Sequence, residues 1–87
     1  MKIKENYILR SIAGEHIVVP VGKEAVTFNG IMTLNQSGKL LFEALQNDVK
    51  ESDLVNVLLD EYEVTEDVAR QDVEAFLAKL KEKDLLI

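Results

Sequence analysis

The chain has 87 residues, 47% apolar and 30% charged, with a formal charge of −6 and no cysteine. That length favours one domain, 1–87, with a small core, and that composition excludes a disordered chain. Without cysteine there is neither a disulfide framework nor a thiolate metal site, and the negative balance opposes nucleic acid and anionic membrane surfaces, whose binding rests on Lys and Arg.

The opening, MKIKENYILR, has no apolar run of signal-peptide length, and no stretch is long and apolar enough to span a bilayer. A cytoplasmic location is the expectation. YILRSI (7–12) and HIVVPV (16–21) read as strands joined by a turn at Ala13-Gly14. Ile17, Val19 and Val21 fall on one face of the second. Pro20 cannot donate to a ladder, so it marks a strand end, an edge or a bulge. After the break at Gly22-Lys23-Glu24, AVTF and IMTL flank Asn29-Gly30, a strong hairpin signal. Met32 and Leu34 share a face.

Three helices follow. Asn35 is a suitable N-cap for the first, in which Leu41, Ala44 and Leu45 recur at helical spacing. Ser52 is expected to cap the second, with Leu54, Val55, Leu58, Leu59 and Tyr62 on its apolar face. Thr65 is expected to cap the third, with Glu66 and Asp67 in its first turn and Lys79, Lys81 and Lys83 in its last turns, where the helix dipole favours each sign. Its apolar stripe is Ala69, Val73, Phe76, Leu77 and Leu80. The tail DLLI is expected to pack back onto the domain.

Strands first and helices after favour an α+β fold over a parallel α/β sheet. A small antiparallel sheet leaves edges, and natural sheets usually blunt them with charge, proline or a covering element. GIMTLN (30–35) carries neither charge nor proline. It reads as an edge kept open for pairing.

Candidate chemistry is sparse. His16 stands beside Glu15 at a hairpin exit, and without a second histidine or a cysteine a zinc site or nucleophilic triad lacks parts. Asp60, Glu61, Glu63, Glu66, Asp67, Asp72 and Glu74 fall at helix ends or on polar faces. An acid–base pair needs two carboxylates desolvated in one cleft, so a solvated surface is the better reading. DEYEVTED lacks the glycine and ligand spacing of an EF-hand. Ser52-Asp53-Leu54 is loosely similar to the phosphopantetheine attachment site of helical carrier proteins, but a strand-rich first third does not belong in such a carrier. Neither catalytic residue, metal nor cofactor is expected.

YILRSIAGEHIVVPVG, GIMTLNQSGKLLFEAL and LVNVLLDEYEVTEDVARQDVEAFLAKLKEKDLLI together resemble the PqqD family, small proteins named for pyrroloquinoline quinone biosynthesis, over about Tyr7 to Ile87. The resemblance implies a winged-helix-like fold, a three-stranded antiparallel sheet followed by three helices. KEAVTFNG is longer than the tight turn usual between the second and third strands, and residues 24–29 leave room for a fourth. The resemblance also implies a non-enzymatic role. Such a protein recognises the leader of a ribosomally made precursor peptide and presents it to a maturation enzyme, typically a radical SAM maturase carrying iron–sulfur clusters. The leader adds as a strand to the third strand beside the third helix. Carried onto this chain, the edge is Gly30, Ile31, Met32, Thr33 and Leu34, and the groove wall is Arg70, Val73, Leu77 and Lys79. Val73 and Leu77 belong to the apolar stripe, for which an ordinary core position is the commoner reading. A Met32→Pro variant tests the edge if that N–H faces outward.

Two other readings compete. A winged-helix DNA-binding regulator has a compatible element order and an opposing charge. A subunit-interface domain uses the same open edge to form a homodimer.

Overall fold

The computed structural model describes residues 1–22 and 32–87. Its elements are β1 (Tyr7–Ile12), β2 (Glu15–Pro20), β3 (Met32–Leu34), α1 (Gln36–Ala44), α2 (Glu51–Glu61) and α3 (Glu66–Glu82). The fold is the expected α+β arrangement, an antiparallel sheet in the order β1-β2-β3 followed by three helices. The Asn29-Gly30 turn, the suggested extra strand over 24–29, and the edge positions Gly30 and Ile31 lie outside the described residues.

The β1–β2 hairpin closes through a two-residue loop. Ala13 (φ 53°) and Gly14 (φ 80°) both have positive φ, and Ile12 pairs with Glu15. Two positive φ values define a type I′ turn, whose twist matches that of the flanking strands. Register then fixes which face meets the helices. Tyr7, Val18, Met32 and Leu34 enter the core, because Tyr7 pairs with Pro20 and Val18 pairs with both Leu9 and Met32. Ile17 and Val19 do share a face, as their spacing implies, but it is the outer one. Ile17 is buried outside the core cluster, and Val21 is exposed. Pro20 lies past Val18↔Met32, the last β2–β3 pair among the described residues, so its missing donor interrupts none of those pairs.

The helices behave largely as their periodicity predicts. Ala69, Val73, Phe76, Leu77 and Leu80 of α3 are all buried. Asn35 caps α1: its Oδ1 accepts from Gly38 N at 2.8 Å and from Ser37 Oγ at 3.0 Å. Thr65 Oγ1 accepts from Val68 N at 3.2 Å. Ser52, however, does not cap α2. The helix starts at Glu51, with Lys50 at the cap position two residues before Ser52, and Asp53 Oδ2 reaches back to accept from Lys50 N at 2.9 Å. A carboxylate at the third helical position satisfies the cap N–H and also suits the dipole, which leaves the Ser52 side chain exposed in the first turn. Asn35→Ala is expected to destabilise the domain by about 1 kcal/mol, since it leaves the Gly38 N–H without its acceptor. Urea denaturation checks this value.

The tail folds back as expected. Asp84 adopts φ 58°, and Leu85 N donates to Leu80 O at 2.9 Å while Asp84 N donates to Lys81 O at 3.1 Å. This is a Schellman ending, with the accompanying apolar contact supplied by two fully buried leucines, Leu80 and Leu85. The reversed tail pairs with the N-terminal segment through an Ile3↔Leu86 bridge. Ile3 N in turn bonds Leu45 O at 2.9 Å, which ties both ends of the chain to the end of α1. The Met1 ammonium bonds Asp48 Oδ1 at 2.7 Å. That hydrogen bond, with the ammonium's charge, holds the Asp48 carboxyl below the usual carboxylate range. Among the described residues, no helix is long and apolar enough to cross a membrane.

Candidate peptide-binding edge and groove

The hairpin turn determines which backbone groups β3 offers outward. In a two-residue turn the carbonyl of Ile12 faces the N–H of Glu15, so Ile12↔Glu15 is a hydrogen-bonded pair. Bonded and non-bonded pairs then alternate along an antiparallel ladder. Glu15, Ile17 and Val19 therefore direct their N–H and C=O groups at β1, and His16 and Val18 direct theirs at β3. Two contacts agree with this phase. Val21 N, next in the odd series, donates to Asn6 O on the β1 side at 2.8 Å. Ser11 Oγ lies 3.0 Å from His16 Nδ1 across a non-bonded pair, where side chains approach most closely.

The consequence for β3 is direct. His16↔Leu34 and Val18↔Met32 are the bonded pairs, and Ile17↔Thr33 is not. Met32 and Leu34 spend their backbone groups on β2. Thr33 turns its N–H and C=O away, toward the side of β3 that has no strand partner among the described residues. The Met32 N–H thus faces inward, and Met32→Pro would break the sheet rather than probe the edge. His16 is only half-buried, and its polar contact is with Ser11.

A groove of about 370 Å³ runs along this edge, lined by Met32, Thr33, Leu34 and Asn35 on one side and by Asp72, Ala75, Phe76 and Lys79 of α3 on the other. The third helix lies beside the third strand, as the resemblance implies. Of the four residues assigned to the wall from the sequence, Lys79 lines the groove. Val73 and Leu77 are 0% and 3% exposed and belong to the core. Arg70 lies on another face, where its guanidinium bonds Glu66 Oε1 at 2.8 Å and Asp67 Oδ1 at 3.5 Å beside Glu51 and Ser52 of α2.

The groove residues of α3 occupy the flank of its apolar stripe. Asp72, Ala75 and Lys79 each immediately precede a buried residue, Val73, Phe76 and Leu80. Val68 precedes Ala69 in the same way and is 44% exposed, although apolar. Positions 68, 72, 75 and 79 follow i, i+4, i+7, i+11 and so share one helix face. A second cavity of about 340 Å³ continues past Asn35, lined by Gln36, Ser37, Leu58, Tyr62, Val64 and Asp72. The edge and the two cavities form one continuous surface.

The carboxylates singled out in the sequence are all exposed, and no described polar or charged residue is buried. The described residues hold no cluster of three or more potential metal ligands.

A strand edge with no partner among the described residues, beside a partly apolar helix groove, has the geometry that strand addition by an extended peptide requires. The chain belongs to the PqqD family, described as coenzyme PQQ synthesis protein D, whose model matches residues 15–86. Two solved structures share its fold. TbiB1 in complex with the TbiA(beta) leader peptide has a TM-score of 0.78 at 23% identity, covering 99% of this chain and 94% of that one. A lasso peptide synthetase B1 complexed with the leader peptide has a TM-score of 0.74 at 20% identity, covering 97% of this chain and 93% of that one. No curated protein matches the chain significantly.

Proposed function

We propose that this protein binds the leader of a ribosomally made precursor peptide by strand addition to β3 and presents it to a modification enzyme, acting by binding and not by catalysis. The observation that carries the reading is the outward Thr33 backbone beside the α3 groove. Both fold relatives were solved with leader peptides, which supports the same class of ligand here. In strand addition, main-chain hydrogen bonds give affinity and side-chain pockets give specificity. The peptide residue aligned with Thr33 shares the Thr33 side-chain direction, toward the outer face. Its neighbours on either side project into the groove, whichever way the strand runs, because side chains alternate. The edge proper is therefore Met32 to Leu34, with Gly30 and Ile31 as its proposed extension. Asp72, Ala75, Phe76 and Lys79 form the wall.

A radical SAM maturase is the proposed recipient, and the cytoplasm the proposed location, both from the family's usual role. Dimer formation through β3 would compete with the peptide for the same Thr33 groups. The DNA-binding alternative has no support: α3 carries Glu66, Asp67, Asp72 and Glu74 along with its lysines, on a chain of charge −6. Duplex binding needs a concentrated basic face.

The test is an NMR titration of labelled protein with a synthetic candidate leader peptide. Amide shifts are expected to cluster at Met32–Asn35 and at Asp72, Ala75, Phe76 and Lys79. Because a disordered leader is ordered on binding, the affinity is expected to be moderate for the area buried. Saturating leader that leaves those amides unmoved rejects the reading.

A further inference from the structure

The groove wall carries two exposed charges of opposite sign, Asp72 and Lys79, seven residues apart on one face of α3. Neither has an ion-pair partner among the described residues, whereas Arg70 is held by both Glu66 and Asp67. At 1.5 Å per residue the two charges stand about 10.5 Å apart along the helix, with the small Ala75 and the apolar Phe76 between them. Their ends of the groove are distinguishable. Asp72 lines both cavities, together with Asn35 and Ser37 at the end of β3, and Lys79 lines only the first.

We propose that Asp72 and Lys79 select the charge order of the bound strand, taking a cationic side chain at the Asn35 end of the groove and an anionic one two turns along α3. This rests on the strand-addition reading above and adds the chemistry of the ligand. An extended strand advances about 3.3 Å per residue, so the 10.5 Å between the charges corresponds to about three residues. Only alternate residues face the groove, which places the peptide's two charges two or four positions apart. The long Lys79 side chain and its ligand counterpart absorb the difference. Apolar residues fit between, over Ala75 and Phe76. Main-chain pairing alone tolerates many sequences; with the strand held to one direction along β3, a polar pair of this kind rejects peptides whose charges run the other way, by like-charge contacts at both ends.

The test uses a display library of random 12-residue peptides, panned on the protein and on the Asp72→Lys/Lys79→Asp double variant. That variant keeps the net charge and alters only exposed side chains, so folding is expected to survive, and thermal melting monitors it. If it does not fold, Asp72→Asn and Lys79→Gln replace it, each expected to lose its own half of the preference. The wild-type protein is expected to enrich peptides with Lys or Arg and Asp or Glu two or four residues apart in one fixed order around an apolar centre. The double variant is expected to enrich the reverse order. A wild-type-selected peptide should bind the double variant roughly three- to tenfold more weakly, recover when its own two charges are exchanged, and show a smaller contrast at high salt. A Glu74→Lys/Lys81→Glu variant, charge-reversed on α3 outside the groove, should bind as wild type. Enrichment of apolar strands without charge order, or an equal loss in the Glu74/Lys81 control, overturns the charge selection and leaves strand addition standing. No enrichment of extended apolar peptides by either protein overturns both.

Discussion

Thr33→Pro is expected to weaken leader binding by at least roughly tenfold while leaving the domain folded. The Thr33 N–H points away from β2, so its removal breaks no hydrogen bond of the β2–β3 ladder. Proline is tolerated on an edge strand for that reason. The pyrrolidine ring also sits where the incoming strand must lie. The peptide loses a main-chain bond, and a carbonyl that was to be paired is left buried without a donor, which costs about 1–3 kcal/mol. Thr33→Val is the control, because it keeps the N–H and the branched shape and should bind as wild type. Met32→Pro has a different outcome. Its N–H faces Val18, and its side chain is 4% exposed, so the variant should lose stability before binding can be measured. Isothermal calorimetry with the leader, alongside thermal melting of all three variants, separates these outcomes. A folded Thr33→Pro variant with wild-type affinity would remove β3 as the docking edge.

The contrast between Thr33 and Met32 shows what the sequence leaves unstated. IMTL identifies an uncharged edge strand, but the direction of each N–H depends on the β2–β3 register and on the phase set by the Ala13-Gly14 turn. The turn is legible as a short hairpin loop. The register is not, because residues 21–31 intervene between the strands. β2 raises a related difficulty. Ile17, Val18 and Val19 are all apolar, so no alternation marks the inner face, and pairing with Leu9 and Met32 selects Val18. The helices are more legible, since burial follows a 3.6-residue period in α3 and since Asn35 and Thr65 cap through their own side chains. The cap of α2 is hidden because Lys50 contributes only backbone, and the acceptor, Asp53, lies three residues later.

The site on α3 is hidden by that same periodicity. A stripe of large apolar residues announces the core and draws attention to Val73 and Leu77. The groove uses the neighbouring flank, where Asp72, Ala75 and Lys79 share neither size nor polarity. Only the exposed Val68 and Val64 hint that this side of the helix meets something apolar. The usable signal is geometric: the residues one position before the buried Val73, Phe76 and Leu80 line the groove beside the strand edge.

Leu77→Ala separates core from groove most sharply. Leu77 is 3% exposed within the cluster that includes Val73 and Leu80, and it does not line the cavity beside β3. Truncating a buried leucine removes transfer free energy and leaves a cavity, and the expected loss is about 2–5 kcal/mol. Domains of this size are stable by only about 5–15 kcal/mol in total. At about 4–8 °C per kcal/mol, the melting temperature should fall by roughly 8–40 °C. Leader affinity, measured well below that temperature, should stay within about twofold of wild type, because Asp72, Ala75, Phe76 and Lys79 keep their places on the outer flank of a helix that still packs through Ala69, Val73 and Leu80. The reverse result, a near-normal melting temperature with binding lost, would move Leu77 from the core to the peptide surface. It would also mean that the leader lies closer to the helix axis than the groove allows. Melting curves and fluorescence anisotropy on one preparation of Leu77→Ala decide between the two.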